Sequence, residues 1–372
     1  LRVLHRTCGR HALLPGVLMV SVDYGQTSTE SPRRGGYADV WKAEYRGQDV
    51  AVKAIRTYSN RELRKVFCKE VVMWRFLQHP NVLPLKGVMM SQNRFAMVLE
   101  WMKNGDINDF IEAHPDVNRL ELLAGAAGGL IYLHNNGMVH GDIKGANILI
   151  DDTGHPRLAD FGLLTIISDP ANLLSSSSNS QGGTVRWMGP ELIAPQQFGC
   201  KKSRPTKSSD CYALGMVIYE TVSGKLPFHK DSDYTISLKV VKGERPLRGA
   251  NFTNYLWSML ELCWTSQPKA RPSIEDVLQR LEIASNSWEP PSPGSDEEME
   301  VDSDDWDSSD GSCPIQTGTR GAAEVDSDDR DSSKKDRRTP EEAPSSIGFY
   351  KTPPPPPSLS MTVYTLLVRL IL

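Results

Sequence analysis

Between Val139 and Leu149 the chain reads VHGDIKGANIL, and this stretch constrains the rest. Two apolar pieces, Met138-Val139 and Ile148-Leu149-Ile150, enclose a polar loop. Inside it, Asp142 is followed two residues on by Lys144 and five residues on by Asn147. A carboxylate, a cation and an amide on one short rigid loop are what phosphoryl transfer needs. The carboxylate receives a hydroxyl proton, the cation offsets charge on the moving group, and the amide oxygen binds Mg²⁺. Such a loop gains its meaning from what stands at fixed distances on either side.

Downstream, Asp151-Asp152-Thr153-Gly154 reads as a turn and Arg157-Leu158-Ala159 as a short strand ending in Asp160-Phe161-Gly162. A strand, a turn and a strand separate Asn147 from Asp160, so the two can face each other across a metal. Upstream, Val40–Tyr45 and Asp49–Ile55 alternate as strands, with Lys53 closing an Ala-Val-Lys. Gly35-Gly36 leads into the first strand, where backbone could lie close over phosphates; a plain hairpin explains this pair as well. Residues 60–77 place Leu63, Val66, Phe67, Trp74 and Leu77 at helical spacing, with Glu70 on the same apolar stripe. A carboxylate facing a core needs a partner, and Lys53 is the natural one; otherwise Glu70 reaches solvent at the edge of the stripe. Val82–Val88 and Arg94–Leu99 read as strands, passing through Glu100-Trp101-Met102 into Asn104-Gly105-Asp106. Asp106 is placed to cap a short helix.

Residues 119–135 form an apolar helix rich in Ala and Gly that delivers the chain to the central loop. After a stretch holding four serines, Ser175–Ser178, comes Gly183-Thr184-Val185-Arg186-Trp187-Met188-Gly189-Pro190-Glu191. Ser209-Asp210 opens an apolar helix through Val222, and Pro268-Lys269-Ala270-Arg271-Pro272-Ser273 closes the patterned region.

From about Gly35 to Ile283 these motifs resemble the eukaryotic protein kinases, nearest to the tyrosine-kinase-like branch of Ser/Thr kinases. The H-G-D form with K-G-A-N is similar to kinases of mushroom-type fungi. The central loop matches H-R-D-L-x-x-x-N except that Gly141 stands at the arginine. The resemblance implies an α+β, bilobal fold: a small β-rich lobe with one main helix over about 24–99, a hinge at 100–105 and a larger helical lobe over 106–286. It implies ATP and Mg²⁺ as cofactors and protein substrates as partners. Lys53 and Glu70 would orient phosphates, Asp142 would act as base, Lys144 would steady the γ-phosphate, and Asn147 and Asp160 would hold Mg²⁺.

By the same resemblance Gly35 and Gly36 cover the phosphates, and Val40, Ala51 and Leu149 sandwich the adenine. The Glu100 and Met102 backbones contact its edge, Leu99 guards the pocket behind it, and Asp106 can reach the ribose. Trp74, His140 and Phe161 would stack between lobes, with Gly162 completing D-F-G. Asp210 would brace the central loop, and Arg271 would pair with Glu191. Lys144 and Thr184 favour Ser/Thr over Tyr as acceptor. Two departures keep a second reading open, a pseudokinase serving as a nucleotide-binding scaffold. Arg33 and Ala38 replace glycines of the phosphate loop, and the loop arginine is missing. Against that reading, all five charged or amide groups that do the chemistry are present.

Flanking segments are of other material. The chain starts at Leu1 and reads as a processed or incomplete product, with residues 1–23 as an extension. Leu13–Val22 is apolar, but Pro15, Gly16 and Asp23 interrupt or bound it, which favours a strand edge over a signal peptide. Residues 287–372 carry 8 Lys+Arg against 18 Asp+Glu, a net of −10, and leave +6 on the rest. EVDSDDWDSS at Glu300–Ser309 recurs as EVDSDDRDSS at Glu324–Ser333. Such a segment cannot bury enough apolar surface to offset ordering entropy, and reads as a disordered, acidic, Pro-rich tail. Pro353–Pro357 suits an SH3- or WW-type partner or a stiff spacer.

The last twelve residues include Arg369 and are too short for a bilayer, which needs about twenty. No membrane or nucleic-acid partner is expected. Six scattered cysteines without a C-x-x-C pair argue against a disulfide framework or zinc site and for a reducing compartment, cytoplasmic or nuclear.

Overall fold

The computed structural model describes residues 2–23, 33–34, 38–55, 61–91, 94–161 and 184–290. The chain divides into two units, Leu1–Met299 and Glu300–Leu372. The second unit, with the acidic repeats and Pro353–Pro357, lies outside the described residues.

The first unit begins with helix α1 (Arg2–His11). Five antiparallel strands then build one sheet: β1 (Arg33–Arg34), β2 (Ala38–Tyr45), β3 (Gln48–Ile55), β4 (Leu85–Ser91) and β5 (Arg94–Glu100), in the order β1-β2-β3-β5-β4. Period-two alternation splits β3 between the two faces of the sheet. Val50, Val52 and Ala54 join Ala96 and Val98 in an outer apolar cluster. Ala51 pairs with Leu99, and Lys53 with Met97, so these four share the inner face. Helix α2 (Arg61–Arg75) covers the inner face, with Phe67 stacked on Phe95 at 4.7 Å. The Trp74 indole N–H donates to Leu83 O at 2.7 Å and ties the helix end to the chain beyond it.

The helical part follows: α3 (Ile107–Ala113), α4 (Arg119–Asn135), α5 (Pro190–Ile193), α6 (Lys207–Ser223), α7 (Asp233–Lys242), α8 (Asn254–Cys263) and α9 (Ile274–Ser285). The hairpin of β6 (Ile148–Ile150) and β7 (Pro156–Leu158) interrupts it after the central loop. Asp106 caps α3 through the N–H groups of Asn108 and Asp109, and Asn118 caps α4. Helix α6 is buried from Ser209 to Val222, as a helix apolar on nearly every side must be. Thr206 and Ser209 close its start with a reciprocal capping box.

Two expectations change. Val82–Val88 is not one strand: Pro84 has no N–H to give a ladder, so β4 starts at Leu85, and Val82 instead bridges Leu158. Leu13–Val22 is not a continuous strand edge either. Pro15 turns the chain into a short 3-10 segment, Gly16–Leu18, and only Met19 then bridges Val88 of β4. Helix α1 was not legible at all in the sequence pattern. Among the described residues no helix is long and apolar enough to cross a membrane.

Candidate active site

The central loop is held from beneath by α6. Asp210 Oδ2 accepts from His140 N and Oδ1 from Gly141 N, each at 2.8 Å, and the His134 ring lies 2.8 Å from Oδ2. Gly141 sits at φ +81, a left-handed conformation that disfavours a side chain. His140 is buried, and that burial lowers its pKa, keeping the ring neutral. The ring lies 6.0 Å from Phe161, which in turn lies 4.3 Å from Trp74. The expected stack between helix α2 and the central loop is therefore assembled.

Three side chains converge on the loop itself. Lys144 Nζ donates to Asp142 Oδ2 at 3.0 Å. Asn147 Nδ2 donates to the same oxygen at 2.9 Å and to Asp142 O at 2.7 Å. Asp142 Oδ1 is buried and has no partner among the described residues. One carboxylate oxygen is thus fixed by two donors while the other stands ready to accept.

Asp160 faces this group from the end of the β6–β7 hairpin, at φ +63. Burial by itself would raise its carboxyl, but the Lys53 ammonium beside it holds the pKa below the usual range. Lys53 makes its ion pair with Asp160 and not, as expected, with Glu70. Glu70 has no ion-pair partner among the described residues, and burial raises its pKa, with Lys69 opposing. Lys53 goes to the carboxylate whose charge is enclosed more completely, while burial shifts Glu70 on α2 toward its neutral form. This corrects the expected Lys53–Glu70 pair.

The donor set fits Mg²⁺. Asn147 spends its amide N–H on Asp142, so its remaining polar atom is an oxygen, and Asp160 adds a carboxylate. Hard oxygen donors supplemented by phosphates suit this ion, which is seldom caged by protein alone. Among the described residues no cluster of three or more His, Cys, Asp or Glu competes as a metal site.

Of the residues expected to enclose a nucleotide, Val40 pairs with Lys53 across β2–β3, Ala51 with Leu99 across β3–β5, and Leu149 with Arg157 in the β6–β7 hairpin. Leu99 and Met102 are buried, and Glu100 ends β5. Asp106 bridges Leu149 and caps α3 through the N–H groups of Asn108 and Asp109. Gly35, Gly36 and Gly162 lie outside the described residues. Thr184 opens a 3-10 turn, Thr184–Trp187. Arg271 Nη1 and Nη2 each donate to a Glu191 oxygen at 2.7 Å, the expected buried pair.

One functional residue escaped the sequence reading. The Glu220 carboxylate, buried on α6, accepts from Asn108 Nδ2 at 2.8 Å, Trp187 Nε1 at 2.9 Å and Gly145 N at 3.1 Å. It joins the central loop to the turn that begins at Thr184. Burial raises its pKa while these three donors oppose the rise. A Cβ at residue 145 would come within 2.6 Å of Glu220 Oε1, so only glycine admits this contact. The signal was a carboxylate inside an otherwise apolar helix, the same signal that singled out Glu70.

Residues 29–281 match the family model of the protein tyrosine and serine/threonine kinases. The serine/threonine-protein kinase STY46 of Arabidopsis thaliana is 30% identical over 254 residues, covering 67% of this chain and 42% of that relative. A putative serine/threonine-protein kinase/receptor of Acanthamoeba polyphaga mimivirus is 30% identical over 263 residues, covering 68% of this chain and 15% of that one. The chain therefore spans less than half the length of these relatives. With its sheet, its helical part and its central loop arranged as above, the chain belongs to the eukaryotic protein kinase family.

Proposed function

We propose that the chain transfers the γ-phosphate of ATP to serine or threonine hydroxyls of protein substrates, and that it is of the tyrosine-kinase-like branch, similar to fungal kinases with an H-G-D loop. The observation that carries this reading is the orphaned, buried Asp142 Oδ1 beside an Oδ2 fixed by Lys144 and Asn147. A buried acceptor without a donor costs free energy unless a ligand supplies one, and a substrate hydroxyl does so.

In this mechanism Asp142 Oδ1 takes the hydroxyl proton as the oxygen attacks the γ-phosphorus. The bond from that phosphorus to the bridging oxygen breaks, and ADP leaves. Lys144 offsets the charge that builds up on the transferred group. Asn147 and Asp160 would hold Mg²⁺, which when bound would neutralise phosphate charge. Lys53 orients the nucleotide phosphates by exchanging part of its contact with Asp160 for them, and Glu70 takes up its freed side. Val40, Ala51, Leu99 and Leu149 enclose the adenine, Gly35 and Gly36 lie over the phosphates, and the Glu100 and Met102 backbones meet the base. Lys144 and Thr184 set the preference for Ser/Thr.

The proposed working domain is 24–286, with residues 287–372 as a disordered tail whose Pro353–Pro357 docks an SH3- or WW-type module. Among the described residues all five cysteines are free thiols, which suits a cytoplasmic or nuclear location. The test is incubation with Mg-ATP and a generic protein substrate, followed by phospho-amino-acid analysis. Phosphoserine and phosphothreonine are expected. Phosphotyrosine would overturn the acceptor assignment, and no transfer would favour the nucleotide-binding scaffold.

A further inference from the structure

Residues Arg2–Val22 precede the stretch that matches the family, and they are fastened to the sheet-bearing part at two places. The first is α2. Leu4 and Cys8, four apart on one side of α1, are buried, as is Ala12 just beyond the helix end. At Gly9 a Cβ would lie only 3.4 Å from Lys69 Cβ, so the two helices approach closely one residue before Glu70. Arg64 Nε, from α2, donates to Ala12 O at 3.1 Å and closes the end of α1. Cys68 of α2 is fully buried, with Cys8 near enough to act on its thiol.

The second place is β4, an edge strand. Val20 N donates to Val88 O at 2.8 Å, and Met19 bridges Val88 in parallel. The Val20 side chain occupies the space over Gly87, where a Cβ would stand 2.5 Å from Val20 Cγ1. Val22 then joins the apolar cluster on the outer face of the sheet. Helix α2 packs on the inner face through Phe67 and Phe95. The segment therefore passes from the helix on one face, around the edge strand, to the opposite face.

We propose that residues Arg2–Val22 form a built-in clasp that positions α2, and with it Glu70 and Trp74, so that catalytic efficiency depends on its docking. This rests on the kinase reading above. The direction follows from what coexists with the docked segment: the Trp74–Phe161–His140 stack is assembled, with Trp74 four residues beyond Glu70 on α2. A segment bound to the assembled arrangement shifts the population toward it. Released, α2 loses the cover over Cys68 and is held by its inner face alone.

The test uses the full chain with Leu4→Asp in one anchor and, separately, Val20→Asp in the other. Alkylation of Cys68 is followed by mass spectrometry, and KM for ATP and kcat are measured beside it. Both variants are expected to expose Cys68, and kcat/KM for ATP should fall by about 5- to 150-fold, the range of ordinary coupling between sites. Leu4→Met should leave both readouts as in wild type. A synthetic peptide of residues 1–23, added to the Leu4→Asp protein, should restore protection and activity together.

Exposure of Cys68 with unchanged kcat/KM would overturn the proposal, as would continued protection of Cys68 in both variants. If either variant melts globally, the other and the peptide rescue decide. A wild-type protein inert toward Mg-ATP would instead sink the kinase reading, while Cys68 labelling would still report whether the segment docks.

Discussion

Asn147 holds Asp142 twice, its Nδ2 donating to Asp142 O at 2.7 Å and to Asp142 Oδ2 at 2.9 Å. The proposed metal ligand and the proposed base are thereby one unit. Both contacts use the Asn147 Nδ2, which leaves its oxygen for the proposed cation, and Asp142 Oδ1 is left for the proposed acceptor hydroxyl. Positioning of this kind removes reorganisation from the reaction step.

Glu220 predicts a coupling that runs beyond the loop. Glu220→Gln keeps the volume but removes one of two acceptor oxygens, leaving a buried donor unmet at a cost of about 1–3 kcal/mol. The protein should melt earlier and kcat should fall with KM for ATP unchanged, since the nucleotide groups are elsewhere. Trp187→Phe removes one of the three donors. In a double-mutant cycle the two changes should be non-additive; additive losses would show that the contact does not link loop and turn.

Gly141 predicts how the serine-rich segment behaves. In most regulated kinases the arginine at this place helps receive an activating phosphate by charge-assisted bonds; here that receiver is missing. Changing Thr165, Ser168, Ser175–Ser178 and Ser180 to alanine together should therefore leave initial rates close to those of phosphatase-treated wild type. Those positions lie outside the described residues. Two nearly inactive proteins, with wild type restored by autophosphorylation, would contradict the inference. Gly141→Arg should not install a phosphate switch cleanly. At φ +81 with Pro205 Cβ 3.2 Å from the new Cβ, it should cost about 1–2 kcal/mol of backbone strain, read as a lower Tm.

Glu191 and Arg271 form a buried, doubly hydrogen-bonded pair. Arg271→Ala leaves an uncompensated carboxylate and should cost about 3–5 kcal/mol by denaturant titration. A change below about 1 kcal/mol, the value of an exposed pair, would contradict the burial argument.

Asp151 gives a pH dependence. Backbone and side-chain donors from His155, Thr153 and Arg157 outweigh the burial that opposes them and lower its pKa to about 2. The group binds its proton less readily folded than unfolded. Its contribution to stability is therefore present above the ordinary aspartate value of 3.8 and is lost as pH falls from there toward about 2. Asp151→Asn should flatten that limb of the stability–pH curve. An unchanged limb would mean that other carboxylates carry it.

Where periodicity and spacing were strong, the sequence was enough. The helix over 119–135, the hairpin between Asn147 and Asp160, and the Glu191–Arg271 pair all lie where pattern and resemblance place them. What was hidden depends on competition or on tertiary cover. Nothing in a periodic stripe tells that Lys53 has two carboxylates within choice, so its pairing with Asp160 could not be read. Helix α1 is rich in Arg and His, and its buried Leu4 and Cys8 are too few to make an apolar stripe without α2 beside them. Glu220 was legible in principle, and the rule applied to Glu70 would have found it.

The most direct measurement compares wild type with Asp142→Asn in a single turnover, with Mg-ATP and a generic protein substrate. Loss of a positioned base should slow transfer by ~10²–10⁴-fold, while Tm and ATP affinity stay close to wild type. Wild type should form phosphoserine and phosphothreonine. Transfer by Asp142→Asn at the wild-type rate would contradict the account, because the orphaned Oδ1 would then not be the acceptor of the hydroxyl proton.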